Sequence, residues 1–230
     1  MFDKWIRSLT AALLAHMATT ACAATFDPTA YYTYEDEDYE ETQAITDVQA
    51  PLEVTFKANP SDLDDDVTYS YEWRFVEDGY TDPFIVRYEE ETTYEFRESG
   101  TFLVSLYVSY GTEEAELIST ISITISTSIL EMPNAFTPNG DGINDVYCAK
   151  SNHQSIVEFK AYIFNRWGHK IYEWSDIDGG WDGTQGGKPA KPGVYFVLVK
   201  AKGADGTDYN IRRDVNLIRD YVESSDSDTE

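Results

Sequence analysis

The chain has 230 residues, 42% of them apolar and 14% aromatic, with 17 Tyr, 11 Phe and 5 Trp. That is enough to build the cores of one large or two small domains, and the Tyr, Phe, Val, Ile and Thr bias favours strands. The formal net charge of −25 excludes a nucleic-acid partner, because a phosphate backbone demands Lys and Arg.

The first 24 residues read as an export signal. "MFDKWIR" carries Lys4 and Arg7, "LTAALLA" is a modest apolar core, and "ATTACAA" is rich in small residues. A buried amphipathic helix is the plain alternative. Two cleavages compete. Ala21-Cys22-Ala23 fits the small-x-small rule and gives a mature chain from Ala24, whereas "TTAC" is an imperfect lipobox that gives a lipid-anchored chain starting at Cys22. No later stretch approaches the ~20 apolar residues needed to span a bilayer. After either cleavage Cys148 has no Cys partner for an intrachain disulfide or a zinc site, and it reads as an inert, buried thiol on a strand.

Residues 22–49 contain 8 acids and no base. The stretch 25–49, with Tyr31, Tyr32, Tyr34 and Tyr39, is predicted to be a self-repelling, extended linker. A strand grammar begins at Ala50. "LEVTFKA" places Leu52, Val54 and Phe56 on one face, and "VTYSYEWRF" alternates through Trp73 and Phe75. "ESGTFLVSLYVSY" does so through Phe102, Val104, Leu106 and Val108, and "ISTISITIS" through Ile121, Ile123 and Ile125. Short alternating strands at this spacing predict an immunoglobulin-like β-sandwich over 50–128.

"APLEVTFKANPSD", "YEWRF" with Asp78-Gly79 after it, and "SGTFLVSLYV" resemble the polycystic-kidney-disease-type (PKD) repeat, a module of bacterial surface proteins. The stretch departs from that family at Arg74, where Asp is usual, and in its longer "FVEDG" turn. Another bacterial immunoglobulin-like module therefore stays open.

Residues 50–128 hold 17 acids against 4 bases, whereas 129–219 hold 11 of each, so the charge step near Ser128 predicts a domain boundary. Just beyond it, "NAFTPNGDGINDVY" crowds turn-formers together. In an EF-hand-like register with Gly142 at position 6, Thr137, Asn139, Asp141 and Asp145 fall at positions 1, 3, 5 and 9. Position 12 is Cys148 where that loop needs a bidentate Glu. The loop therefore reads first as a turn and second as a short, incomplete calcium site; no other cofactor is indicated. "IVEFKAYIFN", "VYFVLVKAK" and "YNIRRDVNLIR" read as strands, and the Gly- and Pro-crowded "DGGWDGTQGGKPAKPG" as loop. The fold class predicted is all-β, two tandem immunoglobulin-like sandwiches.

In order, "PNAFTPNGDGINDVY", "AYIFNRWGHKIYEW", "WDGTQGGKPAKPGVYFVLVKA" and "VNLIR" resemble one family over about 130–219. It is the gliding-motility-associated C-terminal domain of Bacteroidota, the type B sorting domain of type IX secretion. The resemblance implies a Sec-exported protein carried to the cell surface or medium by outer-membrane type IX components. It also implies a sorting surface around Asn165, Arg166, Trp167 and Gly168, and around Trp181, Asp182, Gly183, Gly193 and Tyr195. For both tryptophans the reading from the residues alone is packing over a sandwich end.

Catalytic patterns are missing. HExxH, GxSxG and CxxC do not occur, and in a phosphate-loop register Asp182 takes the place of the first Gly and Pro189 that of the Ser or Thr. The chain reads as a non-enzymatic, exported protein. The rival readings are a glycan- or protein-binding adhesin and a structural adaptor of the surface apparatus. The tail 220–230 has 5 acids, no base and little to bury, and is predicted to be disordered.

Overall fold

The computed structural model describes residues 24–219, and every regular element in it is a strand. The expected export signal, the candidate lipidation site at Cys22 and the acidic tail 220–230 lie outside the described residues. Among the described residues no helix is long and apolar enough to cross a membrane.

The first unit comprises β1 (Thr25–Phe26), β2 (Thr29–Tyr34), β3 (Glu37–Glu41), β4 (Ala44–Val48), β5 (Leu52–Lys57), β6 (Pro60–Ser61), β7 (Tyr69–Glu77), β8 (Ile85–Arg87), β9 (Glu91–Phe96), β10 (Gly100–Tyr110) and β11 (Glu116–Ile125). A four-stranded sheet, β3-β2-β5-β9, faces a five-stranded one, β4-β11-β10-β7-β8. The alternation read from the sequence fills the space between them. Val54 and Phe56 from β5 meet Trp73 and Phe75 from β7, Val104 and Leu106 from β10, and Ile121 and Ile123 from β11, all fully buried. Burying such a side chain contributes about 1.5–3 kcal/mol relative to leaving it exposed.

Residues 25–49 are not a tether. They supply β1 to β4, and β4 pairs in parallel with β11. The acid count does not set the conformation here, because the apolar residues between the acids keep a strand period. In β2 the alternate residues Ala30, Tyr32 and Tyr34 pack on the first core, and Ile45 and Val48 of β4 are buried in it. The acids collect on β3, an edge strand whose side chains stay solvated, where charge discourages edge-to-edge pairing. Glu35 and Asp36, at φ +52° and +65°, form the two-residue connection of the β2–β3 hairpin. Tyr32 and Tyr39, opposite each other, stack with centroids 5.3 Å apart.

The second unit comprises β12 (Ala135–Phe136), β13 (Ile156–Phe164), β14 (Lys170–Trp174), β15 (Thr184–Gln185), β16 (Lys188–Pro189), β17 (Gly193–Gly203) and β18 (Asp208–Leu217). Its sheet order is β12-β18-β17-β13-β14. This repeats the five-stranded sheet of the first unit: an early strand parallel to the last one, then the last two strands, then a central hairpin. The opposing layer is built from the β15–β16 hairpin and two isolated bridges, Ile129–Gln154 and Tyr147–Trp181. Tyr147 and Trp181 from these segments pack with Phe136, Ile163, Val199 and Val215 of the sheet in a second core.

The two units are stapled at Ser155, which is 1% exposed. Its Oγ accepts the Ala50 amide at 3.2 Å and its own amide donates to Gln49 Oε1 at 3.3 Å. The Ser99 amide donates to the Ala204 carbonyl at 3.1 Å, Arg97 donates to the Val157 carbonyl, and Ala204 and Val157 join the first core. Beside this junction Asp205 accepts the Ser128 hydroxyl at 2.7 Å, the Ser128 amide at 3.1 Å and the Thr207 amide at 3.0 Å. Burial opposes its ionisation, but these donors outweigh it and lower its pKa from 3.8 to about 2. A carboxyl whose folded pKa is depressed stabilises the fold above its unfolded value and loses that contribution as pH falls through the folded one. Asp205→Asn is therefore expected to show a shallower loss of melting temperature between pH 4 and pH 2 than the parent. Identical acid limbs would remove Asp205 from this role.

Candidate functional site

The loop Thr137–Asp145 is organised by carboxylates that accept backbone amides. Asp145 Oδ1 accepts the amides of Asn139 at 2.8 Å and Gly140 at 2.7 Å, and its Oδ2 accepts that of Gly142 at 2.8 Å. Asp141 Oδ1 accepts the Ile143 amide at 2.7 Å, and its Oδ2 accepts the Asn139 side-chain amide at 2.9 Å. The Thr137 amide closes the loop on the Asn144 carbonyl. The Gly140 amide first, and the Gly142 amide next, hold the Asp145 carboxyl below its ordinary range. The loop does bring Thr137, Asn139, Asp141 and Asp145 together, but it spends the oxygens of Asp145 on amides. Among the described residues no group of three or more His, Cys, Asp or Glu is placed to hold a metal ion.

At the same end of the sheet, toward its other edge, Asn165 shapes the turn from β13 to β14. Its Oδ1 accepts the amides of Trp167 and His169, both at 3.0 Å, while Gly168 takes φ +78°, a value a residue with Cβ adopts only under strain. The turn projects the Trp167 side chain outward, so it is 68% exposed rather than packed over a sandwich end. Arg166 lies over its ring at 4.4 Å, a cation–π stack. Across from it, Tyr195 donates to the Lys191 carbonyl at 2.8 Å. Between them lies a groove of about 450 Å³ lined by Asn165, Arg166 and Trp167 on one wall and by Lys191, Gly193 and Tyr195 on the other.

Trp181, Asp182 and Gly183 serve the structure beneath. Trp181 is fully buried, donates its indole N–H to the Thr184 carbonyl at 2.7 Å, and packs at 5.3 Å from the Phe136 ring and 5.0 Å from that of Tyr195. Asp182 accepts the Thr184 amide and hydroxyl. A Cβ on Gly183 would stand 3.0 Å from Pro138 and 3.2 Å from Leu217. The residue that sequence reasoning passed over is Arg219, the end of "VNLIR". Its guanidinium donates to the carbonyls of Pro138 at 3.0 Å, Gly183 at 3.1 Å and Ala190 at 3.4 Å, tying three loops together. A charge directly after an apolar strand end was the available signal.

Cys148 is half-buried and lies outside any strand, a correction to the buried-strand reading. It lines a cleft of about 970 Å³ between the units together with Tyr34, Glu35, Gln49, His153 and Asp178. Burial first, and the Asp178 charge second, push its thiol up, so the thiolate nucleophile is suppressed.

The topology defines an all-β chain of tandem immunoglobulin-like units. Residues 130–211 match the family model of the CHU_C type IX secretion signal domain. That match implies export and a cell-surface or secreted location, and it implies contact with the secretion machinery. No curated protein sequence matches the chain. Solved structures with some likeness include the FN1–FN3 domains of chicken CNTN1, at 10% identity and TM-score 0.25, covering 79% of this chain and 68% of that one. Drosophila N-cadherin EC1–3 gives 16% identity and TM-score 0.21 over 76% and 63%, and the periplasmic chaperone SfaE 12% and 0.21 over 77% and 95%. At those scores the likeness adds nothing to the topology above.

Proposed function

We propose that the chain is a non-enzymatic exported protein whose second unit, residues 129–219, is its type IX sorting domain. In this reading the first unit is a PKD-like exposed module. The single observation that carries the proposal is the family match over 130–211. The Arg166–Trp167 turn supports it, as the part of the sorting motifs that faces solvent. The buried Trp181 and the tucked Gly183 support the motifs' other half as scaffold rather than contact surface. Protease treatment of intact cells, with mass spectrometry of the released peptides, tests the location. Peptides of the first unit should be released without lysis, and their release only after lysis would overturn the reading.

The loop at Asp145 we read as a turn. Adding millimolar calcium to the full chain is expected to leave its melting temperature unchanged, because a cation would have to displace amide donors from Asp145. A calcium-dependent rise would restore the loop as a cation site.

A further inference from the structure

The groove between the Asn165–Gly168 turn and the Lys191–Tyr195 segment is basic, in a unit whose acids and bases balance. The protein carries a net charge of −25, yet the lining contains Arg166 and Lys191 and no carboxylate. Neither cation has an ion-pair partner among the described residues. Two unpaired cations beside an exposed indole form an anion-seeking, aromatic surface.

Apolar side chains share the walls with these cations. Trp167 is 68% exposed and Val194 48%, with Pro189 and Pro192 between them. Phe196, 43% exposed two residues beyond Val194, pairs with Phe164 on the adjacent strand and carries the apolar surface onto the outer face of the sheet. An exposed apolar strip running from a groove onto a sheet face marks a contact surface.

We propose that this groove docks an acidic polypeptide segment bearing aromatic or aliphatic side chains. Arg166 and Lys191 would take its carboxylates, with the planar guanidinium able to donate two parallel N–H bonds to one of them. Its apolar side chains would lie between Trp167 and Val194. The cations stand on the two walls of a concavity, which admits an entering segment and presents no flat face to a lipid surface. Contact between the grooves of two copies is opposed by the cations that each carries. The inference concerns binding chemistry, and it stands or falls apart from the export reading.

The test uses the full chain and a fluorescein-labelled random Glu–Tyr copolymer, followed by anisotropy, with polyglutamate and phosphatidylglycerol/phosphatidylcholine vesicles as competitors. The copolymer should bind saturably and more tightly than polyglutamate, and binding should weaken as salt rises, since exposed charge pairs are screened. Trp167→Ala, and Arg166→Ala combined with Lys191→Ala, should each weaken binding about tenfold or more, the equivalent of one charged or aromatic contact. Lys200→Ala, on the sheet outside the groove lining, should change nothing. The inference is overturned by an absence of saturable binding or by unchanged affinity in the groove variants. Vesicles that displace the copolymer as well as unlabelled copolymer does, or association of the free chain into dimers lost with Trp167→Ala, would likewise overturn it.

Discussion

Trp181→Ala is expected to lower the unfolding free energy of the full chain by about 3–5 kcal/mol, the range for truncating a buried aromatic to Ala. The side chain is fully buried between Phe136 and Tyr195. Its backbone also exchanges two hydrogen bonds with Tyr147, at 2.8 and 3.0 Å, which form one of the two isolated bridges in the thin layer of the second unit. The variant keeps those backbone bonds but leaves a cavity and loses the indole bond to the Thr184 carbonyl, next to the Gly183 turn. Urea unfolding with the parent alongside gives the difference. A change below about 1 kcal/mol, the scale of an ordinary surface-to-intermediate substitution, would show that the second core closes without it.

The second large effect is expected at the junction of the units. Gly203 pairs with Ile156 at the start of β13, and a Cβ there would collide with Ser128 Oγ and Cβ and stand 2.6 Å from Asp205 Oδ1. The side chain of Ser128 cannot simply swing away, because its hydroxyl is held by Asp205 and Tyr209. Gly203→Ala should therefore cost about 1–3 kcal/mol, the usual penalty for overpacking. Because the crowded atoms adjoin Ala204, which is part of the first core, the loss should appear in both units. Calorimetry of the full chain resolves this. A variant whose melting matches the parent would mean that the junction yields freely.

The strands were legible where period and burial agree. Val54 and Phe56, or Val104, Leu106 and Val108, alternate cleanly because one face of each strand is core and the other is water. The stretch 25–49 was misread because its acids sit on an edge strand, where solvation removes the cost that charge carries in a central one. Trp167 and Trp181 show why the candidate site was only half legible. Both precede or adjoin a turn glycine, and sequence spacing does not say which side of the sheet the turn faces. The Asn165 side chain fixes one outward, and the Tyr147 bridge fixes the other inward. Arg219 was missed because its three carbonyl partners, at Pro138, Gly183 and Ala190, are remote in sequence and meet only in the fold.

Fusion of a reporter to residues 129–219, and in parallel to 129–230, tests the central claim most directly in a host with type IX secretion. In the proposed reading the sorting surface lies on the folded unit, whose loops Arg219 already ties together, so both fusions should reach the surface or medium after passing the inner membrane on a Sec signal. Retention of both reporters in the periplasm, with the domain folded, would contradict the account.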